Sequence, residues 1–487
     1  MGRLYNWRCA IIAGSGSILY GYDAAVIAGT FAQEGFNNQF NPSSKVQGAI
    51  GSVYFAGLIV GLAFVSALAD RFGRKRTIQI GGVIGLIGGI LQACSYQIAQ
   101  FFVGRVIAGM ASGIMLTTVS VYQSEIAPPH LRGTMVAFQI VTLNIAGTLA
   151  SWVGYGCNFS SNQGFAWRFP IALQCLPALG LIFGCFFIPF SPRWLISKDR
   201  QLEAQEVLKR LHDDHEDPMF WEKEYLQISA QLAVERIEKE NAKWSHMFTN
   251  RSELRRLALA VAAMTSVQTN GAQTIQIYQT VLYAGLGYTT RKQLLMAGIF
   301  GICNTCGGST NLLLIDRVGR RILFLTGLFI LSVWLGVFSA CSARYSQTGS
   351  TDWGNAGIAF VMIYIYFFGA TFASSPYAFA SEVLPTKIRA NGMAVALFFA
   401  NAVTLIFSQT APIALDHINW KFNLVFIGCN VFFFPIVFFY FPETKGLTLE
   451  EINTRFGEKV EVEIRDLTDA QTQMKMDVAF VENAEEK

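Results

Sequence analysis

Long apolar stretches separated by short polar loops dominate the chain, and this pattern predicts a protein built from membrane-spanning helices. A helix needs about 20 apolar residues to cross the hydrocarbon core of a bilayer. Twelve stretches have about that length: 9–31, 47–69, 77–96, 99–122, 134–156, 170–189, 256–284, 293–315, 322–342, 355–380, 391–414 and 422–441. We therefore expect an all-α integral membrane protein with twelve transmembrane helices.

A polar segment with helical periodicity, about 198–255, separates the sixth predicted span from the seventh. Its apolar residues Tyr225, Ile228 and Leu232 fall on one helical face, which favours surface helices over further spans. The predicted organisation has four parts. They are an N-terminal six-helix bundle (1–197), a cytoplasmic helical linker (198–255), a C-terminal six-helix bundle (256–442) and a cytoplasmic tail (443–487).

Composition supports a membrane location and excludes a nucleic-acid-binding protein. Hydrophobic residues make up 52% of the chain and charged residues 14%, against roughly 25% charged residues in soluble domains. The net charge of +4 is small, and no basic stripe is present. Basic residues are denser in the short loops that follow even-numbered spans, which places those loops and both termini in the cytoplasm. The opposite loops include Asn158, in the N-glycosylation pattern Asn-Phe-Ser.

Two pairs of similar motifs indicate that the chain consists of two related halves. LADRFGRKR around Asp70 matches LIDRVGRRI around Asp316, which lies 246 positions later (316 − 70). SEIAPPHLRG, from Ser124, matches SEVLPTKIRANG, from Ser381. Parallel repeats of six spans are typical of transporters that bind their substrate between the halves, near the middle of the membrane.

No pattern typical of an enzyme, a metal site or a cofactor site is evident in the sequence. Cys303 and Cys306 form a lone Cys-x-x-Cys, which favours two buried thiols over a zinc site. The histidines lie in predicted loops or in the linker, without metal-ligand spacing: His130, His212, His215, His246 and His417. We expect no enzymatic activity, no cofactor and no bound metal.

The ordered motifs resemble those of the sugar porter family of the major facilitator superfamily, over about residues 7–452. The matching stretches are GYD (21–23), DRFGRK (70–75), GR (104–105), SEIAP (124–128), SPRWL (191–195), DRVGRR (316–321) and PETKGLTLEEI (442–452). The stretch SEVLPTKIRANGMA looks like that of fungal monosaccharide transporters. The resemblance implies the major facilitator fold in the plasma membrane, with two bundles that give alternating access to one sugar site.

Two residues of opposite charge lie within predicted spans, Asp23 in the first and Arg105 in the fourth. A charge at the centre of the membrane costs roughly 2.5–3.5 kcal/mol, so a neutralising ion pair is the simplest interpretation. The resemblance adds a second one, since proton-coupled sugar porters carry Asp and Arg at these positions and protonation would release the pair. We favour sugar transport with a proton as the coupled partner. A facilitative uniporter, and then a non-transporting sugar sensor, are the alternatives.

Amides within apolar helices suit a sugar because each amide both donates and accepts hydrogen bonds. The predicted seventh span is rich in them (SVQTNGAQTIQIYQ), and Gln268, Gln276 and Gln279 are spaced close to one helical face. Packing between helices is the alternative role for single amides. The resemblance implies a sugar site formed by Gln139, Asn144, Gln268, Gln273, Tyr278, Asn304, Tyr377 and Asn401. Several of these differ from the usual family residues, so a hexose, a pentose, a polyol and a disaccharide remain open.

The resemblance also gives the repeated charged motifs a role. In the family, loop arginines pair with acids at helix ends on the cytoplasmic side and hold the inner gate shut. The candidates here are Asp70, Arg71, Arg74, Glu125, Arg132, Asp316, Arg317, Arg320, Glu382, Arg389 and Glu443. The alternative is that the basic residues only set the topology. Phe190 stands where the family usually has Glu, which predicts a looser gate.

Overall fold

The computed structural model describes residues 2–128, 132–211, 221–222, 224–230, 232, 248, 250–385, 388–445 and 456. The side chains of 2–4, 132–134, 136–137 and 390 are not part of that description. Most of the predicted linker and tail therefore lies outside the described residues. So do His130, His212, His215 and His246.

The described part of the first half is almost entirely helical. Its helices are α1 (Gly2–Ala32), α2 (Glu34–Phe40), α3 (Ser44–Ala93), α4 (Ile98–Ile126), α5 (Arg132–Cys157), α6 (Gln163–Leu173), α7 (Cys175–Gly184), α8 (Pro192–Ser197) and α9 (Gln201–Leu211). A 3-10 turn, Cys185–Phe187, extends α7. Residues Tyr225, Ile228 and Leu232 pack against the buried cluster around Trp194, as their shared face predicts.

The second half repeats this architecture. Its helices are α10 (Arg251–Thr269), α11 (Ala272–Gly285), α12 (Thr290–Val318), α13 (Arg320–Thr348), α14 (Thr351–Phe372), α15 (Ser375–Val383), α16 (Arg389–Ile418) and α17 (Asn423–Tyr440). His417 lies in the last turn of α16 rather than in a loop. Cys303 is half-buried and Cys306 is exposed, so the prediction of two buried thiols is wrong.

Nine stretches of helix among the described residues are long and apolar enough to cross a membrane. Two of them, Ser44–Ala93 and Asn391–Tyr440, are 50 residues long. A straight helix of that length would extend about 75 Å, more than twice the roughly 30 Å of the hydrocarbon core. Each instead turns back, the first at Gly73 (φ 80°) and the second at Asn419 (φ 48°). Each therefore accounts for two of the predicted spans.

The glycine of each repeated Asp-Arg-x-Gly-Arg motif makes the turn between two spans. Gly73 has φ 80° and Gly319 has φ 102°, a region that residues with a Cβ rarely adopt. A Cβ at Gly73 would lie 2.9 Å from the Trp194 ring, and one at Gly319 would lie 2.7 Å from the Glu443 carboxylate. The motif thus combines a reversal of chain direction with close packing of the turn.

Side chains divide between packed interfaces and surfaces that face lipid. Between α3 and α4 the backbones touch, since a Cβ at Gly57 or Gly109 would lie 2.1 Å from a carbonyl oxygen of the other helix. Elsewhere large apolar rings are exposed: Phe186 at 69%, Phe432 at 64% and Phe439 at 75%. So much exposed apolar surface is stable in a bilayer and not in water.

Candidate functional site

The charged pair within the first bundle is buried. Arg105 Nη1 of α4 lies 3.0 Å from Asp23 Oδ1 of α1, and both side chains are 2% exposed. The guanidinium also donates to the backbone oxygens of Asp23 (3.3 Å) and Ile50 (3.4 Å), and it lies 4.3 Å from the centre of the Tyr54 ring. Arg105 therefore keeps several partners even when the Asp23 carboxylate carries no charge.

The seventh predicted span, 256–284, is broken in the middle. Gly271, with φ 95°, separates α10 from α11, and a Cβ there would lie 2.7 Å from the Phe426 ring. Tyr364 donates to the carbonyl of Asn270 at 2.8 Å, which satisfies one backbone group that the break frees. The spacing that put Gln268 on one face with Gln276 and Gln279 assumed a continuous helix, so their shared face stays a prediction.

One candidate sugar-binding residue lies on each side of the break, Gln268 in α10 and Gln273 in α11. Gln268 Oε1 is buried and has no hydrogen-bond partner among the described residues. Buried polar atoms are nearly always paired, and broken helices form the substrate sites of many transporters. These amides are therefore the strongest candidates for contact with a polar substrate.

Asn144 and Asn304 lie on facing helices of the two halves. A Cβ at Gly308 of α12 would lie 2.9 Å from Asn144 Nδ2, and Gly308 is one turn beyond Asn304. The hydroxyls of Thr148 and Thr305 are 3.0 Å apart across the same interface. This geometry places Asn144 at the interface between the bundles, about one helical turn from Asn304 along α12.

The remaining candidates are more separated. Gln139, which is 6% exposed, donates to the Leu116 carbonyl at 3.5 Å. Asn401 donates to the Leu397 carbonyl of its own helix at 2.8 Å. Tyr377 packs against a buried apolar cluster of the second half. Tyr377 thus takes part in the packing of the second half, and the Asn401 amide is engaged by its own helix.

Tyr278 joins the two halves in this conformation. Its hydroxyl donates to the Ser408 carbonyl at 2.8 Å and approaches the Gln47 carbonyl at 3.3 Å. Its ring stacks on Phe31 with centroids 5.8 Å apart. The predicted role of Tyr278 as a sugar ligand stays a prediction, because its polar atom here contacts protein.

Among the residues that the structure describes, hydrogen bonds between the halves lie at mid-depth or at the face of the molecule on which α2 lies. Ser52 donates to Gln409 Oε1 at 2.7 Å, and Thr280 donates to the Ala28 carbonyl at 2.6 Å. We call the face that carries the repeated Asp-Arg-x-Gly-Arg turns the basic face. The face on which α2 lies is called the opposite face. The residues that meet at the opposite face form the seal: Gln47, Gly51, Ser52, Tyr278, Ser408 and Gln409.

Most seal residues were not predicted as functional from the sequence. Small and polar residues within apolar spans were the available signal, but Gly51, Ser408 and Gln409 belong to no motif. Among the described residues, no hydrogen bond or ion pair joins the two halves near the basic face. The structure is therefore closed at the opposite face.

The charged motif of the first half forms a compact ion cluster at the basic face. Arg74 lies 3.0 Å from Glu125 and 3.7 Å from Asp70. Arg74 and Glu125 are 17% and 8% exposed, so this pair is shielded from solvent. The cluster ties the turn of α3 to the end of α4.

The second half repeats that geometry at the matching position. Arg320 lies 2.9 Å from Glu382 and 3.2 Å from Asp316. Glu443 accepts hydrogen bonds from the backbone nitrogens of Arg320 (3.0 Å) and Arg321 (3.2 Å), at the start of α13. An acid at a helix N-terminus is stabilised by the helix dipole.

Three other predicted gate arginines, whose side chains the structure describes, form no ion pair among the described residues. Arg389 donates to the Leu384 carbonyl at 3.2 Å, and Arg71 lies 5.3 Å from the Phe72 ring. Arg317 accepts a bond at its carbonyl from Lys445, and the side chain of Arg132 lies outside the described residues. Every described ion pair at the basic face thus joins helices of one half, and gating across the halves stays a prediction.

Phe190 places an aromatic ring where the family usually has an acid. Lys75, Arg76 and Arg200 lie 5.1, 5.6 and 5.6 Å from the ring centre. Trp194 stacks on the ring at 5.3 Å. The ring therefore attracts cations of α3 and of the segment before α9 without a carboxylate.

We expect Phe190→Leu to lower the unfolding temperature of the purified protein. Leucine keeps an apolar side chain but removes the ring face, and each cation–π contact contributes about 0.5–1 kcal/mol at an exposed site. Thermal unfolding in detergent measures the change. Phe186→Leu, at a lipid-facing ring that is 69% exposed, is the control. Equal unfolding temperatures for both variants would contradict the role of the Phe190 ring.

Comparison with known proteins identifies the family. The family model described as sugar (and other) transporter matches residues 9–456. The MFS-type transporter criB of Aspergillus cristatus is 31% identical over 458 residues, which cover 94% of this chain and 95% of that protein. The sugar transporter STL1 of Saccharomyces cerevisiae is 30% identical over 483 residues, covering 94% of this chain and 83% of that protein.

Solved structures share the fold. The inward open conformation of the xylose transporter XylE from E. coli superposes with a TM-score of 0.78 at 23% identity, covering 92% of this chain and 99% of that one. XylE bound to 6-bromo-6-deoxy-D-glucose gives a TM-score of 0.74 at 24% identity, covering 94% and 100%. The chain therefore belongs to the sugar (and other) transporter family and has the fold of the major facilitator superfamily.

Proposed function

We propose that this protein is a proton-coupled symporter of a neutral sugar in the plasma membrane, with its basic face in the cytoplasm. The observation that carries the proposal is the buried Asp23–Arg105 pair, 3.0 Å apart, in a chain of this family. Relatives support the sugar: the Saccharomyces cerevisiae relative HXT3, 29% identical, is named a low-affinity glucose transporter. XylE of E. coli, which shares the fold, is described as a proton:xylose symporter.

Helix α1 connects the proposed proton site to the seal. Asp23 lies on α1, and about 8 Å further along that helix the Ala28 carbonyl accepts from Thr280 at 2.6 Å. One turn beyond, Phe31 stacks on Tyr278. A small rotation or tilt of α1 therefore changes both the Asp23 environment and the contacts between the halves.

Protonation of Asp23 supplies the cause of such a movement. The charged carboxylate holds α1 to Arg105 of α4, while the neutral acid loses most of that attraction. Arg105 retains the Ile50 carbonyl and the Tyr54 ring, so the cation stays satisfied. In our proposal, the transporter changes conformation when proton and sugar are both bound or both absent, and the seal opens or closes in that step.

The amides around the break in the seventh span bind the sugar in this account. Gln268 and Gln273 flank Gly271, and each amide can accept from one hydroxyl while it donates to another. Asn144 and Asn304 extend this polar surface across the interface between the halves. Because the site contacts both bundles, bound sugar affects their relative position.

A facilitative uniporter is the second candidate, and one observation favours it. Arg105 has backbone and aromatic partners besides Asp23, as expected for a pair whose only task is to neutralise a buried cation. A uniporter would bring the sugar to equal concentrations on both sides of the membrane and would not accumulate it.

Proteoliposomes distinguish the two candidates. We expect labelled glucose, xylose or a related sugar to accumulate above its external concentration when the outside is acidic, and this accumulation to collapse with a protonophore. Uptake that only equilibrates, with or without the gradient, would exclude symport. No uptake of any sugar or polyol in a broad panel would refute the proposed function as a whole.

We expect Gln268→Ala to weaken sugar binding about tenfold. The substitution removes the amide and with it one or two hydrogen bonds to the sugar, each contributing roughly 0.5–1.5 kcal/mol. A loss of about 1.4 kcal/mol corresponds to a factor of ten in affinity. Titration calorimetry with the best substrate of the panel measures the affinity. Gln100→Ala, near the start of α4, is the control. An unchanged affinity in Gln268→Ala would remove this residue from the site.

A further inference from the structure

A polar pocket of about 570 Å³ opens at the opposite face, between the two halves. Small-molecule sites typically measure about 300–1,000 Å³. The first half contributes Gln33, Glu34, Asn158 and Gln163, and the second half contributes Thr290 and Arg291. The lining includes none of the central amides proposed to bind sugar, Gln268, Gln273, Asn144 and Asn304, so the pocket is distinct from the proposed sugar site.

The wall from the first half is held rigidly. Gln33, which is 2% exposed, donates to the Gly154 carbonyl at 3.0 Å. Its Oε1 accepts from Asn158 Nδ2 at 3.1 Å. Gln163 Oε1 accepts from Asn38 at 3.3 Å. The amides therefore have fixed positions before any ligand arrives, which lowers the entropic cost of binding.

The wall from the second half is placed by a contact between the halves. The guanidinium of Arg291, in the first turn of α12, lies 4.6 Å from the centre of the Phe159 ring. A cation stacked on a ring leaves its N–H groups free in the ring plane for further hydrogen bonds. The pocket thus exists in this form only while the two halves meet at the opposite face.

The chemistry of the lining selects a class of ligand. Amides, hydroxyls and backbone supply both donors and acceptors. One acid, Glu34, and one cation, Arg291, give no excess of either charge, so neither an anion nor a cation is favoured. From this juxtaposition we propose that the pocket binds a neutral polyhydroxylated molecule, such as a free sugar, and that the bound molecule holds the halves together at this face.

The consequence for transport follows from the two halves sharing one ligand. A molecule that contacts both favours the conformation closed at the opposite face. With that face outside the cell, as the proposed function has it, external sugar slows the return of the empty transporter to the outward-facing state. The rate of uptake then falls at high external sugar. The binding itself does not depend on the proposed function.

Hydrogen–deuterium exchange on the full-length purified protein tests the binding. Protein made in bacteria carries no glycan at Asn158, and the probes are D-glucose, D-xylose and mannitol. We expect at least one probe to slow exchange in peptides that cover 158–163 and 288–292. The Arg291→Ala variant should need about ten times more probe for the same protection, because it loses one charge-assisted hydrogen bond to the probe.

Two further variants make the result specific. Lys292→Ala removes a neighbouring cation, 5.9 Å from the Tyr288 ring and outside the pocket lining, and should behave as wild type. Gln268→Ala should keep the protection, even where central binding or transport is lost. No protection by any probe, or protection that survives Arg291→Ala and disappears in Gln268→Ala, would overturn the proposal.

Discussion

We expect Asp23→Asn to abolish sugar accumulation while exchange of sugar across the membrane continues. Asparagine cannot take up and release a proton, so the gradient no longer drives the sugar. A membrane potential of 100 mV is worth about 2.3 kcal/mol per charge, enough for more than tenfold accumulation at about 1.4 kcal/mol per factor of ten. In the variant the ratio of internal to external sugar should fall to one.

The structure indicates that Asp23→Asn folds. Arg105 keeps the backbone carbonyls of residue 23 and Ile50 and the Tyr54 ring, so its charge is not left without partners. In proteoliposomes, uptake assays measure the accumulation of sugar, and counterflow assays measure its exchange across the membrane. Asp352→Asn, at an exposed acid in the first turn of α14, is the control and should accumulate sugar normally. Normal accumulation by Asp23→Asn would show that the pair is structural.

We expect Gly51→Trp to stop transport while external sugar still binds. A Cβ at Gly51 would already lie 2.4 Å from Ser408 Oγ and from the Tyr278 hydroxyl, so an indole has no room in the closed seal. Overpacking typically costs about 1–3 kcal/mol, and the upper value shifts the equilibrium between the conformations about a hundredfold. The variant should remain open at the opposite face.

Initial rates of uptake and calorimetric titration of the purified variant check this result together. Loss of uptake with retained affinity is the predicted combination. Gly428→Trp is the matched control, because a Cβ at Gly428 meets nothing within 4 Å and its position is exposed. Normal transport by Gly51→Trp would show that the seal need not close at this point.

The sequence predicts the architecture well because lipid imposes a simple rule. A span must be apolar over its length, and its backbone must be helical, so the turns at Gly73 and Gly319 follow from their motifs and from span lengths. The break at Gly271 was less visible, since the apolar stretch continues across it. Helix propensity and hydropathy contain no information on the contacts that Phe426 and Tyr364 make at Gly271 and Asn270.

The site was predictable only in part. The Asp23–Arg105 pair stands out because two charges within apolar spans need a partner, and the structure joins them. Tyr278 and Gln409 could not be assigned in that way, because their contacts depend on how the halves meet in one conformation. Phe190 shows the same limit: the sequence shows a missing acid, but only the structure shows three cations around the ring.

The most direct test of proton coupling measures the proton itself. A pH-sensitive dye inside proteoliposomes reports proton entry when the transported sugar is added outside, with no pH gradient imposed. We predict that the interior acidifies with wild type and does not change with Asp23→Asn. Sugar uptake by wild type without any acidification would contradict the account and make this protein a facilitator.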